Sequence, residues 1–378
     1  MQSDHSNEKK SIVIISSLKG FSTAIFLIDA FKKNGNFVFV ISDISHPVAN
    51  VKYCGVFDLS DALKLHGVDP DLVLFIEGGS MQLFPIGLER ITCLCAWYGI
   101  DTHMNYEKHL KISRLFDVSF IAQLEYVDKL RLDGINQVHW LPLAFDQELT
   151  PKYNPQRDID ISHIGSTQIG INPERHQLIN TLKQQIPNHY FGSATPLEMG
   201  EIYSRSRLAF NNSVRNDINM RFFEAMGCGA VLLSNVITKN GIEQLFENGV
   251  HYLTYQDEKT LVSLAHELLH DHNRCDLISK KARENVLEHH TYLHRVRTIL
   301  SICDKKIAYK IIEPEFIFPA LLAQGFVGNA IYEISRYIQK FPQARSMAWL
   351  TILAATSIRY LSYAVMLFER LKRKWPRY

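Results

Sequence analysis

Residues 208–234, LAFNNSVRNDINMRFFEAMGCGAVLLS, show the pattern that decides the fold. An apolar run at 208–210 precedes a polar loop, a short helical segment over 220–226 and a second apolar run at 230–234. Short apolar runs that alternate with helices are typical of an open parallel sheet. The segment therefore predicts an α/β domain of the doubly wound type.

The same alternation extends along most of the chain in two series. The first predicts strands at 11–16, 37–41, 71–76, 91–97, 118–121 and 138–141. The second predicts strands at 160–165, 190–191, 208–210, 230–234 and 251–253, with helices over 173–185, 220–226, 242–247 and 259–270. A polar stretch with two prolines, 146–157, separates the two series. We therefore predict two Rossmann-like lobes that face a cleft, over residues 1–145 and 146–305.

Composition limits the class of protein and its partners. The chain has 378 residues, of which 46% are hydrophobic and 11% aromatic, and these values exclude a disordered chain. The formal net charge of +2 argues against a nucleic-acid partner, whose phosphates require a basic surplus. The polar segment from Met1 to Lys10 contains no apolar signal region, so we expect a cytoplasmic protein.

The C-terminal tail, residues 306–378, has a different composition, rich in alanine and aromatic residues in helical patterns. The segments 330–342 and 364–376 each run from an alanine to a proline and lie 34 residues apart. This spacing resembles tetratricopeptide repeats, although the second copy has Arg359 where the first has Gly325. We predict an all-α, tetratricopeptide-like tail that binds a protein partner or forms a homo-oligomer.

A membrane segment is the competing interpretation of this tail. Residues 346–368 contain a single charge, Arg359, and are long enough to cross a bilayer core of about 30 Å. A mid-span arginine costs at least about 2.5 kcal/mol, so a packed helical pair is favoured. Residues 370–378 carry five basic groups, and peripheral contact with the inner membrane surface is expected at this end.

The loop and helix at 211–229 contain the residues best suited to binding. Asp217 or Asn219 can cap the helix, and Arg221 and Glu224 share its first turns. A positive helix start beside an arginine suits a diphosphate, and a carboxylate one turn further suits the hydroxyls of a ribose. Spacing alone favours the alternative, a simple ion pair between Arg221 and Glu224 at a helix start.

This segment also resembles a known family. Residues 221–230, RFFEAMGCGA, look like the donor-binding signature of retaining, two-lobed glycosyltransferases of the GT-B fold. The pattern over 217–224 is similar to the CgeB-like, spore-maturation subgroup. The resemblance covers roughly residues 71–300, and its other matches follow in order: Asp71-Leu-Val-Leu, Trp97-Tyr-Gly-Ile-Asp101-Thr-His103, Phe116-Asp117, Trp140-Leu-Pro-Leu-Ala144, Gly165-Ser166, Phe246-Glu-Asn-Gly249, and His290-Thr291 with Arg295.

The resemblance implies roles for residues of the second lobe. Glu224 matches the second glutamate of the family's E-x7-E motif and is implied in ribose contact. The first glutamate falls at Asn216, so the chain departs from the motif, and Asp217 or Asn219 is expected to replace it at the donor sugar.

Phosphate binding is implied at the other end of the donor. Arg221 is implied in pyrophosphate binding, next to the turn at Gly165 and Ser166. Arg175 lies where the family places a basic phosphate ligand, and a solvated helix arginine is the alternative. Arginines and helix amides stabilise a departing diphosphate without a metal, so we expect no cofactor and no metal.

The first lobe supplies the remaining candidates. Trp97, Asp101 and His103 follow an apolar strand, and Glu77 ends another, so all four are expected to line the cleft. Asp101 and His103 are the candidate catalytic residues, because a histidine here can bind the donor sugar or assist proton transfer. Trp97 is expected to pack on a sugar face. A capped strand end with a satisfied histidine is the alternative.

The implied function is transfer of a sugar from a nucleoside-diphosphate-sugar donor to a hydroxyl acceptor on a glycan, lipid or protein, with retention. Three alternatives remain: a sugar-nucleotide epimerase, a non-catalytic nucleotide-sugar-binding scaffold, and a zinc peptidase. The last rests on His266, Glu267 and His270, which spell the H-E-x-x-H motif.

Overall fold

The computed structural model describes residues 9–20, 22–78, 82–151 and 156–304, together with 317, 320–322, 325, 326 and 329. The strands of these residues are Ser11–Ile15 (β1), Phe37–Ser42 (β2), Val51–Lys52 (β3), Gly55–Asp58 (β4), Leu72–Ile76 (β5), Leu83–Ile86 (β6), Leu94–Gly99 (β7), Val118–Ile121 (β8), Val138–Trp140 (β9), Ile159–Ile164 (β10), His189–Gly192 (β11), Ser206–Asn211 (β12), Val231–Asn235 (β13) and Tyr252–Tyr255 (β14). The α-helices are Thr23–Lys33 (α1), Leu59–His66 (α2), Thr102–Ser113 (α3), Leu124–Leu132 (α4), Pro173–Gln185 (α5), Pro196–Arg205 (α6), Met220–Gly227 (α7), Ile242–Leu245 (α8), Glu258–His270 (α9), His272–His289 (α10) and Tyr292–Cys303 (α11).

The strands form two main parallel sheets, which confirms the predicted α/β class. The first has the order β3-β2-β1-β5-β7-β8-β9 and the second the order β11-β10-β12-β13-β14, while β4 and β6 form a separate parallel pair. The order of winding reverses between β1 and β5 and again between β10 and β12. Loops at the carboxyl ends of such strand pairs separate and open a crevice, which is where doubly wound sheets bind ligands.

Burial on both faces explains why the central strands are continuously apolar. Ile12 and Ile14 of β1 lie on one face of the first sheet, Val13 and Ile15 lie on the other, and all four are fully buried. A strand covered by helices on both sides shows no polar alternation, unlike a strand with one solvated face. The runs of β-branched residues therefore predict these strands correctly.

The last described helix returns from the second sheet to the first domain. Tyr292 of α11 stacks on Phe26 of α1, with ring centroids 5.2 Å apart. The Phe145 amide donates to the His290 carbonyl at 2.8 Å, and the Arg295 guanidinium donates to the Leu143 carbonyl at 2.9 Å. Helix α11 and the residues just before it are thereby fixed to the linker and to the first domain.

Several boundaries differ from the sequence-based prediction. The strand predicted at 91–97 lies at 94–99. Its pairing with β5 sets this start, because Leu72, the first residue of β5, lies opposite Leu94. The sequence patterns used above did not predict the β4–β6 pair or helix α6. Helix α6 is capped by Thr195, which forms a capping box with Glu198. These polar hydrogen bonds leave no apolar pattern in the sequence.

Most of the tail lies outside the described residues, including both predicted repeat segments and the 346–368 span. Of its described residues, Ala320 and Leu321 are fully buried in the core of the first domain, and the Phe326 ring lies 6.4 Å from that of Phe84. In the part of the chain that the structure describes, no helix is long and apolar enough to cross a membrane.

The packing of α6 provides a test of the fold. A Cβ placed on Gly200 would lie 1.7 Å from the Leu149 carbonyl oxygen, so the helix touches the backbone of the interdomain linker. We expect Gly200→Ala to lower the free energy of unfolding by about 1–3 kcal/mol in urea titrations. The matched control is Gly170→Ala, because nothing lies within 4 Å of that position, and a change of less than about 0.5 kcal/mol is expected. Equal stability of the two variants would contradict the close approach.

Candidate functional site

The carboxyl end of β10 is joined to helix α7 by the side chain of Arg221. Its Nε and Nη2 atoms donate to the Ile164 carbonyl at 3.1 and 2.9 Å, and Nη1 donates to Oδ1 of Asn211. Gly165 has φ +143°, and a Cβ there would lie 2.5 Å from Arg221 Nη2. Only glycine fits over this guanidinium, which therefore lies directly beneath the turn at the switch point of the second sheet.

Helix α7 is capped by Asn219, one of the two predicted caps. Oδ1 of Asn219 accepts a hydrogen bond from the Arg221 amide at 3.1 Å. Its Nδ2 donates to Asn211 at 3.2 Å and to Ser213 at 3.1 Å. The side chain of Asn219 is thus engaged in holding the helix start, and its contacts place the positive end of α7 next to the Arg221 side chain.

A second arginine lies on the same crevice. Arg175, in the first turn of α5, donates from Nη2 to the Asn212 carbonyl at 2.7 Å and from Nη1 to the Ser166 carbonyl at 3.4 Å. It is only 9% exposed, so it is not the solvated helix arginine that the sequence left open. Burial and the positive charge of Arg221 lower the pKa of Arg175 to about 10.

Neither arginine forms an ion pair with a described carboxylate. Their partners are the carbonyls of Ile164, Ser166 and Asn212 and the side-chain amide of Asn211, none of which neutralises a positive charge. Arg175 is buried and Arg221 partly buried, so the two neighbouring cations repel each other, and a bound dianion would remove that repulsion. The predicted residues Gly165, Ser166, Arg175 and Arg221 therefore lie together and have the chemistry of an anion site.

Glu224 lies one turn along α7 from Arg221. It is 8% exposed, and in the described chain no group donates a hydrogen bond to its carboxylate. Burial raises the pKa of Glu224 to about 7 in spite of the opposing charge of Arg221. A buried carboxyl group with unused hydrogen-bonding capacity suits a ligand with hydroxyl groups, such as a ribose.

The loop before α7 carries Asp217 toward the first domain. Arg215 and Asn216 adopt φ values of +51° and +60°, an unusual pair of left-handed residues without glycine. Oδ1 of Asp217 accepts from Nε2 of Gln123 at 2.9 Å and lies 4.0 Å from Nδ1 of His103. Burial raises the pKa of Asp217, although the nearby His103 opposes that shift.

Asn216, where the E-x7-E motif has its first glutamate, supports this loop. Its Oδ1 accepts from the Thr238 amide at 3.3 Å, and its carbonyl accepts from Asn240 at 2.7 Å. Asn216 therefore supports the loop from within the second domain, whereas the side chain of Asp217 contacts the first domain.

On the first-domain side, Asp101 and His103 lie at the turn that leads from β7 into α3. Asp101 is exposed, and partial burial of its carboxyl group together with the charge of Glu77 raises its pKa. His103 is buried, and its carbonyl accepts from Nη1 of Arg215 at 3.0 Å. The two candidate catalytic residues are thus brought next to Asp217 of the second domain.

The predicted cleft position of Trp97 is wrong. Its side chain is fully buried, and its ring lies 5.0 Å from that of Phe75, 6.2 Å from that of Phe116 and 5.6 Å from that of His109. The reason is the length of β7, which continues to Gly99, so that Trp97 lies mid-strand with its ring in the core.

Glu77 is also misplaced by the cleft prediction. It is 6% exposed, and its Oε2 accepts hydrogen bonds from the amides of Ile100 and Asp101 at 2.6 and 2.8 Å. Its carboxylate is therefore directed to the backbone of the neighbouring turn. Glu77 supports the turn and does not line the cleft.

The zinc-protease motif on α9 does not form a metal site. Nδ1 of His270 bonds the His266 carbonyl at 2.7 Å, and Glu267 forms an ion pair with Arg274. Within the described residues, no group of three or more His, Cys, Asp or Glu side chains is placed to hold a metal ion. His266 and His270 lie four residues apart on one face of this helix without forming a metal site, so the zinc-peptidase alternative is not favoured.

Four residues of the site were missed by the sequence analysis. Asn211 and Asn212 follow β12 directly, so the rule that ligands bind at the ends of parallel strands could have found them. His163, fully buried in β10, donates from Nδ1 to the Phe210 carbonyl at 2.9 Å, and burial with the charge of Arg221 lowers its pKa well below the ordinary value. Gln123 gave no signal, because its partner is 94 residues away.

Comparison with known proteins defines the class. Residues 160–301 match the family model described as "Glycosyl transferase-like", and this range contains all the second-domain residues above. No curated protein matches the chain significantly. With the fold, the family match confirms the predicted class of enzyme, a glycosyltransferase of the GT-B type.

Solved structures show the same two-domain fold at low sequence identity. A glycosyltransferase from Rickettsia africae is 12% identical, with a TM-score of 0.57 over 79% of this chain and 98% of that one. Anabaena HepE in complex with UDP and glucose is 13% identical, with a TM-score of 0.55 over 79% and 100%. Sucrose-phosphate synthase from Thermosynechococcus elongatus is 12% identical, with a TM-score of 0.53 over 78% and 98%.

The environment of Glu224 predicts a dependence of stability on pH. Its folded-state pKa of about 7 lies above the ordinary value of 4.5, so the folded protein holds the proton more tightly than the unfolded chain. The resulting stabilisation is complete below pH 4.5 and is lost as the pH rises to 7. We expect the stability of the wild type relative to Glu224→Gln to fall by about 3 kcal/mol between these limits.

Urea unfolding at pH 4.5, 6 and 8 measures this difference. Glu201→Gln, at an exposed position of α6, is the matched control and should show no comparable trend. Parallel pH profiles for the wild type and Glu224→Gln would contradict the proposed burial of an uncompensated carboxyl group.

Proposed function

We propose that this protein transfers a sugar from a nucleoside-diphosphate sugar to a hydroxyl group of a glycan, lipid or protein. The observation that carries the proposal is the pair of arginines, Arg175 and Arg221, at the switch point of the second sheet without a carboxylate partner. A diphosphate supplies the negative charge that these residues lack. HepE, a neighbour in fold, was solved with UDP and glucose, which supports uridine diphosphate as the nucleotide.

The donor is oriented by groups on both sides of this crevice. Arg221, Arg175 and the turn at Gly165 and Ser166 bind the diphosphate, while Glu224 accepts or donates hydrogen bonds at the ribose hydroxyls. Because one part of α7 contacts both ribose and diphosphate, the donor is fixed in one direction. Its sugar then extends toward Asp217 and the first domain.

In the reaction, the bond between the anomeric carbon and the diphosphate oxygen breaks, and the acceptor oxygen forms a bond to that carbon. The electron pair of the broken bond leaves on the diphosphate, where Arg221 and Arg175 stabilise it. The acceptor hydroxyl gives its proton to the departing diphosphate oxygen. Asp101 and His103 are the groups at the cleft that can bind the sugar or assist the movement of this proton. Retention at the anomeric carbon is supported by the resemblance of 221–230 to retaining enzymes.

Contacts between the domains support a closed arrangement during transfer. Gln123 donates to Asp217 at 2.9 Å, and the Glu125 amide donates to Asn240 at 3.4 Å. Such closure excludes water, which otherwise hydrolyses the donor.

The subgroup of the enzyme and the role of its tail are proposed from the sequence. Membership of the CgeB-like subgroup is supported by the pattern over 217–224. We propose that the protein is cytoplasmic and that the 306–378 tail contacts a protein partner, a second copy of the chain or the surface of the inner membrane. The basic residues at the end of the chain support the membrane contact.

Nucleotide binding provides the first test. We expect uridine diphosphate to raise the melting temperature of the wild type and Arg221→Ala to abolish the rise, because the neutral side chain removes a diphosphate contact. At a ligand concentration of 100 times Kd, the stabilisation is about 2.7 kcal/mol. Arg297→Ala, an exposed position on α11, is the matched control and should retain the rise. No shift with any common nucleoside diphosphate would overturn the proposal and favour a non-catalytic scaffold.

Product analysis provides the second test. Because arginines and helix amides supply the positive charge, we expect donor turnover to persist in excess EDTA, at a rate within about twofold of that with magnesium. We expect nuclear magnetic resonance of the product to show the donor's anomeric configuration. Loss of turnover in EDTA would contradict the metal-independent mechanism, inversion would contradict retention, and donor conversion without transfer would identify an epimerase.

A further inference from the structure

The turn that carries Asp101 and His103 is not held by regular helix geometry. Asp101 has φ −101° and ψ 43°, no side chain caps the start of α3, and Asn105 breaks the helix with φ −128° and ψ 33°. Intrahelical hydrogen bonds alone therefore do not fix this turn, and its position must depend on contacts from elsewhere in the fold.

Glu77 provides such a contact from the neighbouring strand. It follows β5, and its Oε2 accepts from the amides of Ile100 and Asp101 at 2.6 and 2.8 Å. Burial alone would raise the pKa of Glu77, but the His109 and amide hydrogen bonds outweigh burial and lower it, so the side chain is a carboxylate. Charge-assisted hydrogen bonds to two successive amides fix both the position and the orientation of this backbone.

His109 completes the support from within α3. It is fully buried, with Nε2 3.0 Å from Oε1 of Glu77 and Nδ1 2.9 Å from Oγ1 of Thr102. A Cβ on Gly99 would lie 3.0 Å from His109 Nδ1, so the backbone packs directly on the imidazole. The Glu77 and His109 side chains thus connect the end of β5, the end of β7 and the body of α3.

We propose that Glu77 and His109 are positioning residues for sugar transfer, because together they hold the turn with Asp101 and His103 against the Asp217 loop of the second domain. This inference rests on the proposed function. Neither side chain is in the anion site or exposed at the cleft, so both act through the backbone of the turn. The opposite side of the same turn is held by Arg215, which donates to the His103 carbonyl at 3.0 Å.

The experiment compares Glu77→Gln, His109→Leu and His109→Gln with the wild type. His109→Gln retains a nitrogen donor near the position of Nε2 and is the conservative rescue variant, whereas leucine removes both ring nitrogens. The matched control is Glu107→Gln, an exposed position on the same helix. Hydrogen exchange of peptides over 98–104, donor turnover with the full chain, and uridine diphosphate affinity are measured for each.

For Glu77→Gln and His109→Leu, we expect amide exchange at residues 100 and 101 to accelerate by at least about tenfold. We expect kcat to fall by at least about tenfold, with the donor KM and the uridine diphosphate Kd unchanged within about twofold. His109→Gln should restore kcat to within about threefold of the wild type, and Glu107→Gln should match the wild type. A merely structural role would lower nucleotide affinity and kcat together.

Suppose that the wild type binds and turns over donor. Unchanged amide exchange and unchanged kcat in Glu77→Gln and His109→Leu would then overturn this inference and leave the proposed function intact. If Glu77→Gln does not fold, equal kcat values for His109→Leu and His109→Gln would overturn it instead. A wild type that neither binds nor turns over nucleotide sugars would overturn both the proposed function and this inference, even if exchange accelerates.

Discussion

The guanidinium of Arg221 is the contact on which the second-domain site depends. It ties the last carbonyl of β10 to the side chain of Asn211 at the end of β12, the two strands between which the sheet reverses its order. Its position requires glycine at 165 and places the start of α7 at the crevice. Glu224 then lies one helical turn away, which gives the site a cationic end and a carboxyl end at a fixed separation.

Charge is the constraint that shapes the surroundings of this contact. Arg221 and Arg175 are held by carbonyls and by asparagine side chains, which satisfy their N–H groups and leave their charges uncompensated. Carboxylate partners would stabilise the arginines more strongly in the absence of ligand, but they would also compete with a bound anion. The asparagine-rich loop therefore favours ligand binding at some cost in stability.

The first domain meets this site through a turn rather than through a regular element. Glu77 holds this turn through the amides of Ile100 and Asp101, and Gln123 of the first domain donates to Asp217 of the second. Both supporting side chains are buried, and both bridge segments that are distant in the chain. Their contribution is geometric, since they determine where Asp101 and His103 lie.

The sequence by itself determined the two parallel sheets, because strands buried on both faces must be continuously apolar. It pointed to Arg221 and Glu224 through the resemblance of 221–230 to a known signature, since their spacing alone is that of an ordinary ion pair. It also predicted a boundary region between the domains from a polar, proline-containing stretch. Only the tertiary structure decided that Trp97 is in the core and that Glu77 supports a turn. Strand length and cross-strand pairing set which way a side chain points, and a hydrogen bond such as that between Gln123 and Asp217 joins residues whose separation leaves no periodic pattern in the chain.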